Sequence, residues 1–199
     1  MSDLVRIRPI TETDWDAIVE MEARAYDELG LTEGPEVLRS RAGASPELCF
    51  VLDIGARPAG YLLALPYPAF HYPDLDHTQP ATAPSASSPD NVHLHDIVIT
   101  EDLRGRGLAQ RLLLHLASTV RSRGYERISL VAVGCSRKFW SARGFTAYPR
   151  VRPSGYGTGS VYMSKAVPAD RAATPEPADV PPRGPFAPTK RADARVPCP

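Results

Sequence analysis

The chain has 199 residues, enough for one domain of ordinary size plus an appendage and short for two. Hydrophobic residues make up 43% and charged residues 23%, so most of the chain can bury a core. Lys+Arg and Asp+Glu are both 23, and this zero net charge argues against a nucleic-acid partner held by its backbone and against a polybasic membrane anchor. Its 21 prolines are about twice the average share, so part of the chain is not packed structure.

Cys49, Cys135 and Cys198 are far apart and odd in number. No CxxC or Cys/His cluster suggests a metal or a disulfide framework. The N-terminus meets charge within three residues, and no apolar run approaches a membrane span. A reducing, cytoplasmic location is therefore expected. Proline gathers in Pro66–Asp90 and in the tail from Ala166 to Pro199. The tail has almost no large apolar residue beyond Phe186, so its composition predicts disorder over 166–199 and a folded domain over 1–165.

Val5–Arg8 reads as a short strand, and Thr11 or Thr13 can cap a helix running from Trp15 towards Tyr26. A second helix is expected over Pro35–Ala42. Leu48–Ile54 and Ala59–Leu65 read as strands joined by the hairpin turn GARP. HLHDIVIT, His93–Thr100, is a strongly apolar strand with polar residues at its start. Gly105–Arg123 carries Ala109, Leu112, Leu113, Leu116, Ala117 and Val120 at helical steps, and Gly124 stops it. Ile128–Val133 reads as a buried strand. Ser136 can cap a short helix over Lys138–Arg143, and Phe145–Tyr148 and Ser160–Met163 read as the last strands. The order predicts an α/β or α+β single domain.

The stretch HLHDIVITEDLRGRGLAQRLLLHL carries the chemistry. Gly105 and Gly107 stand between an apolar strand and a helix start. Glycines let backbone approach a ligand closely, and the first helical N–H groups point outward with the positive dipole end. Arg104 and Arg106 add charge for an anion. The turn reads as a phosphate or pyrophosphate site, or as a tight strand–helix turn alone. No Lys-Ser/Thr follows the glycines, and the spacing is not GxGxxG.

Arg104-Gly105-Arg106-Gly107-Leu108-Ala109 resembles the R/Q-x-x-G-x-G/A signature of the Gcn5-related (GNAT) N-acetyltransferases. Downstream, FWSARGF resembles that family's F-Y-x-x-x-G-F block. The resemblance covers roughly residues 4–165. It implies a mixed, mostly antiparallel sheet flanked by helices and splayed at an acetyl-CoA site. The pyrophosphate would sit on the turn from Leu103 to Ala109. The pantetheine arm would run beside Ile97, Val98 and Ile99, with Ser136, Phe139 and Trp140 flanking the cofactor. An amine would attack the acetyl group directly in a ternary complex, and no metal is implied.

His93 and His95 lie two residues apart on one strand face, and a histidine suits the removal of a proton from an ammonium. The His-x-His resembles the pair in arylalkylamine N-acetyltransferases; the alternative is two polar residues at a strand start. Asp96 is expected on the opposite face unless a bulge alters the phase. Phe139 is followed by Trp140 where the family commonly has a Tyr that protonates the departing thiolate, and indole is no usable acid. Solvent, or a hydroxyl of Ser136, Ser141, Tyr148 or Tyr156, would take that part.

For the acceptor, Tyr26, Phe70, Tyr72 and Tyr156 are the candidate contacts, with Glu22, Asp27, Glu28 and Asp74 among the nearby carboxylates. Aromatics with a few carboxylates suit a small primary amine with an apolar body. The leading expectation is a small-molecule N-acetyltransferase. A protein acetyltransferase and a non-catalytic acyl-CoA binder are the alternatives, and a homodimer is compatible with each.

Overall fold

The computed structural model describes residues 4–75 and 90–168. Of the tail expected to be disordered, 166–199, residues 169–199 lie outside the described residues, as does most of the proline-rich loop, 76–89. Ala166 instead ends a strand, and Val167 is buried and donates its amide to the Glu126 carbonyl.

Seven strands form one sheet: β1 (Val5–Pro9), β2 (Phe50–Ile54), β3 (Arg57–Pro66), β4 (Asn91–Ile99), β5 (Arg127–Ala132), β6 (Thr146–Ala147) and β7 (Val161–Ala166). Their spatial order is β1-β2-β3-β4-β5-β7-β6. Every neighbouring pair is antiparallel except β4–β5. That pair is parallel because a helix, α3 (Leu108–Ser122), carries the chain back between the two strands. The remaining helices are α1 (Trp15–Tyr26), α2 (Pro35–Ala44) and the short α4 (Arg137–Ser141).

Two cores sandwich the sheet. On one face Leu52, Leu62, Val92, Leu94, Ile128 and Leu130 pack under Leu112, Leu116 and Val120 of α3, with Trp140 and Phe145. On the other, Val51, Tyr61, Leu63 and Val98 pack against Trp15, Ile18 and Met21 of α1 and Leu38 and Ala42 of α2. The apolar three- and four-residue steps seen in the sequence are these buried helix stripes.

Most boundaries shift from the sequence reading, and three of the shifts are these. Pro46–Leu48 forms a 3-10 turn, so β2 starts only at Phe50. The long helix starts at Leu108, because Gly107 sits at φ 76°, ψ 7°, a left-handed conformation that cannot continue a right-handed helix. β6 has only two residues. Gly60 on β3 is required by packing: a Cβ there would lie 2.6 Å from the carbonyl oxygen of Val98.

The start of α1 is fastened to the sheet. Asp14 accepts hydrogen bonds from the Thr11 amide and hydroxyl, both 2.7 Å. Arg8 of β1 donates to Asp14 (2.6 Å) and to Asp53 of β2 (2.7 Å). The Arg8 hydrogen bond holds the Asp14 carboxyl down to about 2 against its burial. A depressed carboxyl stabilises the fold at pH values above its unfolded pKa, and that contribution is lost as pH falls towards 2. The shift is on the order of 2 kcal/mol. Denaturant unfolding of Arg8→Met is expected to show a loss of about 2–4 kcal/mol at pH 6, because two buried carboxylates lose their cation. The variant and the parent should converge near pH 2; an equal gap at both pH values would place the stabilisation elsewhere.

Candidate active site

The sheet opens between its one parallel pair. β4 pairs with β5 only over Asn91↔Arg127, Val92↔Ile128 and His93↔Ser129. Past that point β5 continues against β7, from Leu130↔Met163 to Ala132↔Val161. β4 runs on to Ile99 with no strand partner on that side among the described residues. The peptide groups of Ile97, Val98 and Ile99 therefore border a wedge-shaped gap, and an extended ligand there can hydrogen-bond to β4 as a strand would.

At the end of β4, Glu101–Leu103 forms a 3-10 turn, and Gly105 (φ 77°) and Gly107 (φ 76°) lead into α3. A Cβ on either glycine would meet nothing within 4 Å, so the turn faces open space. Arg104 reaches back to the Ile99 carbonyl (3.3 Å), and Arg106 is exposed. Free amides at the N-terminus of a fifteen-residue helix, two guanidinium groups and unfilled space above glycine fit a pyrophosphate.

On the α1/α2 face, a cavity of about 40 Å³ lies at the opening, lined by Glu22, Tyr26, Leu31, Glu33, Leu75, His95, Asp96, Val131, Val133 and Tyr156. Its shape depends on a bulge. β3 pairs Leu63 with Asp96 but Ala64 with Leu94, so His95 is the extra residue. The bulge resets the alternation of β4. His95 and Asp96 both reach the cavity, and Asp96 lies on the α1/α2 face rather than the opposite one.

His95 and His93 part company at the bulge. The His95 side chain is 2% exposed, and its Nε2 is hydrogen-bonded to Glu33 Oε1. Arg41, fully buried on α2, grips the other oxygen of Glu33 through Nε (2.8 Å) and Nη2 (2.6 Å). Burial pushes the Glu33 carboxyl up, but the hydrogen bond and charge of His95 and the charge of Arg41 outweigh it and hold it below the usual range. Opposite an ionised Glu33, an imidazole that has given up its second proton keeps the remaining one on Nε2. Nδ1 is then a lone-pair nitrogen, and it is buried without a hydrogen-bond partner. His93 is not in the lining. Its Nδ1 pairs with Ser129 Oγ (3.0 Å), and its ring stacks on Tyr162 at 6.5 Å. Burial, then the charges of His95 and Arg41, lower its pKa well below the ordinary histidine range, which makes it a weak base.

Two further carboxyls complete the cavity. Asp96 accepts from the hydroxyls of Tyr26 (2.5 Å) and Tyr61. Its burial raises its pKa despite these bonds. Glu22 Oε1 accepts the Glu33 amide (2.7 Å), and burial pushes the Glu22 carboxyl up to about 7.

The other predicted contacts scatter. Tyr156 lines the cavity and donates to the Pro73 carbonyl (2.7 Å). Tyr72 packs edge-on against Tyr156 and donates to the Arg152 carbonyl (3.1 Å). Phe70 stands apart, 45% exposed, in an open depression with Tyr148, Pro149, Arg150 and Val151. Ser136 donates to the Val133 carbonyl (2.7 Å), and Phe139 lies under the Arg143 guanidinium. Trp140 is in the α3 core, edge-on to Phe139 and Phe145, and 6% exposed.

Glu33 and Arg41 were not legible as site residues. Glu33 sits in a short linker before the Gly34-Pro35 helix start, where nothing periodic marks it. Arg41 did leave a trace: it follows Leu38 by three residues and precedes Ala42 on the apolar stripe of α2. A cation on a buried face requires a buried anion.

A mixed sheet opened at its one parallel pair, with a glycine turn and helix start beside the opening, defines the acyltransferase type of fold that the motif resemblance implied. The chain matches the acetyltransferase (GNAT) family over residues 15–145, most of its length, and it belongs to that family. No curated protein sequence matches it. Among solved structures it is similar to the loading GNATL domain of CurA from Lyngbya majuscula, with TM-score 0.66, 16% identity and coverage of 83% of this chain and 98% of that one. Ard1 from Thermoplasma volcanium gives TM-score 0.62 and 14% identity over 82% of this chain and 97% of that one. N-acetylglutamate synthase from Neisseria gonorrhoeae, solved with coenzyme A and N-acetyl-glutamate, gives TM-score 0.62 and 16% identity over 84% of this chain and 36% of that one. At these identities the likeness is one of fold.

Among the described residues, no helix is long and apolar enough to cross a membrane, and no cluster of His, Cys, Asp or Glu could hold a metal.

Proposed function

We propose that the chain is an acetyl-CoA-dependent N-acetyltransferase acting on a primary amine of a small molecule. Acetyl-CoA supplies an acetyl thioester with a fair leaving group. Leu103, Arg104, Gly105, Arg106, Gly107, Leu108 and Ala109 would hold its pyrophosphate, and the backbone of Ile97 to Ile99 its pantetheine arm. The acceptor amine would enter the cavity on the α1/α2 face. There His95 Nδ1 takes the ammonium proton, the freed nitrogen attacks the acetyl carbonyl, and the C–S bond breaks to release CoA as its thiolate, which solvent protonates. Glu33 is the positioning residue: it fixes the His95 tautomer, and Arg41 keeps Glu33 ionised. His93 supports the strand behind, through Ser129, rather than taking the proton itself.

One observation carries this reading: the orphaned Nδ1 of a carboxylate-oriented histidine at the open edge of β4. The small, acidic cavity favours a slender amine over a peptide backbone. The burial of Trp140 favours a second reading, a binder without turnover, because no hydroxyl stands at that position. Release of CoA thiol from acetyl-CoA, screened across aryl amines, polyamines, aminoglycosides and peptides, separates the readings. Release with small amines is expected. Release with peptides alone would make the chain a protein acetyltransferase, and acetyl-CoA binding without release would make it the binder.

A further inference from the structure

Three carboxyl side chains line the acceptor cavity, and their partners differ. Both oxygens of Asp96 are taken, one by Tyr26 and one by Tyr61. Both oxygens of Glu33 are taken, by His95 and Arg41. Glu22 alone keeps an unpartnered oxygen. Its Oε1 holds the Glu33 amide, while Oε2 is buried with no hydrogen bond, in a residue only 1% exposed. Buried polar atoms in native proteins are rarely left unpaired, so each exception asks for a missing partner. The second unpaired atom in the same lining is His95 Nδ1. With Glu22 ionised and the His95 imidazole neutral both atoms are acceptors, and a partner that serves both is a group with at least two N–H donors. Burial of the Glu22 carboxyl among Glu33 and Asp96 makes a cationic partner the favoured one. A cavity of about 40 Å³ has room for an ammonium head.

We propose that Glu22 is the specificity-determining residue of the acceptor site: its free oxygen binds the ammonium head of an unbranched primary amine and presents that nitrogen to His95. This rests on the cavity being the acceptor site. It goes further in naming the recognising atom and in excluding amines without N–H donors or with bulk on the nitrogen. Glu22 recognises the cation and His95 takes its proton, so the two residues affect different kinetic constants.

The test uses 2-phenylethylamine and its N,N,N-trimethyl analogue, which keeps the charge and the aromatic body but has no N–H. Binding to the full chain without acetyl-CoA is followed by NMR or calorimetry. The primary amine is expected to bind at least ~10-fold more tightly than the trimethyl analogue, the scale of one charge-assisted hydrogen bond. Glu22→Gln is expected to erase that preference, raise the amine KM by at least ~10-fold and leave the acetyl-CoA KM within about twofold. Glu20→Gln, on an exposed part of α1 beside Arg24, is the control and should change neither value. Equal binding of the two probes by the unmodified protein overturns the proposal and needs no variant. So does failure to bind the primary amine, or an unchanged amine Kd in a folded Glu22→Gln protein. Glu22-dependent binding without any acetyl transfer would leave the ammonium site standing and remove the enzyme reading. Transfer that ignores Glu22 would do the reverse.

Discussion

His95→Ala is expected to lower kcat for amine acetylation by about 100-fold, the low end of what a general base contributes. Acetyl-CoA affinity should be preserved, because the cofactor is held by the glycine turn and by backbone of β4. The low end is expected because water can occupy the vacated space and carry the proton. Glu33→Gln tests the orientation separately. An amide at this position can donate to Nε2, which would turn the imidazole into the other tautomer and place its proton on Nδ1. The activity loss should then approach that of His95→Ala although the histidine is still present. Glu33→Gln also leaves Arg41 buried opposite a neutral group, so it should cost stability, about 3–5 kcal/mol for a buried pair broken on one side. The measurements are kcat and KM for both substrates, on protein verified as folded. A His95→Ala enzyme with unchanged kcat near pH 7 would move the base elsewhere, with Glu22 and Asp96 next to examine.

Gly107→Asp is expected to weaken acetyl-CoA binding by about 100-fold, the loss of two hydrogen bonds to a charged group. Gly107 is at φ 76°, with open space where a Cβ would go, so the substitution costs backbone strain but meets no atom. The effect comes from charge. A carboxylate at the start of α3 would itself satisfy the free amides and repel a pyrophosphate. Gly107→Ala carries the same strain without the charge and should bind acetyl-CoA within a few-fold of the parent. Calorimetric titration of both variants decides it. An unchanged Kd in folded Gly107→Asp would take the cofactor off this turn.

The sequence by itself determined the features that depend on neighbours along the chain. Gly105 and Gly107 between an apolar strand and a helical stripe are a local pattern, and they set out the turn, α3 and the family. The alternating and helical periods likewise located the strands and helices to within a few residues, because burial of one face imposes the period. The tertiary structure decided what depends on partners far away. Alternation predicted Asp96 on the wrong face, because the bulge at His95 is a matter of register against β3. Alternation also made equals of His93 and His95, which the structure separates into a buried partner of Ser129 and a lining residue of the cavity. The pairing of Glu33 with His95 spans 62 residues, and no local pattern encodes it. Trp140 stands where the motif expects a residue facing the cofactor, yet its large apolar ring packs with Phe139 and Phe145 in the core. Local periodicity fixes which elements form. The cavity is assembled from α1, the linker before α2, β4 and β5, and only the packing of those elements brings its acceptors together.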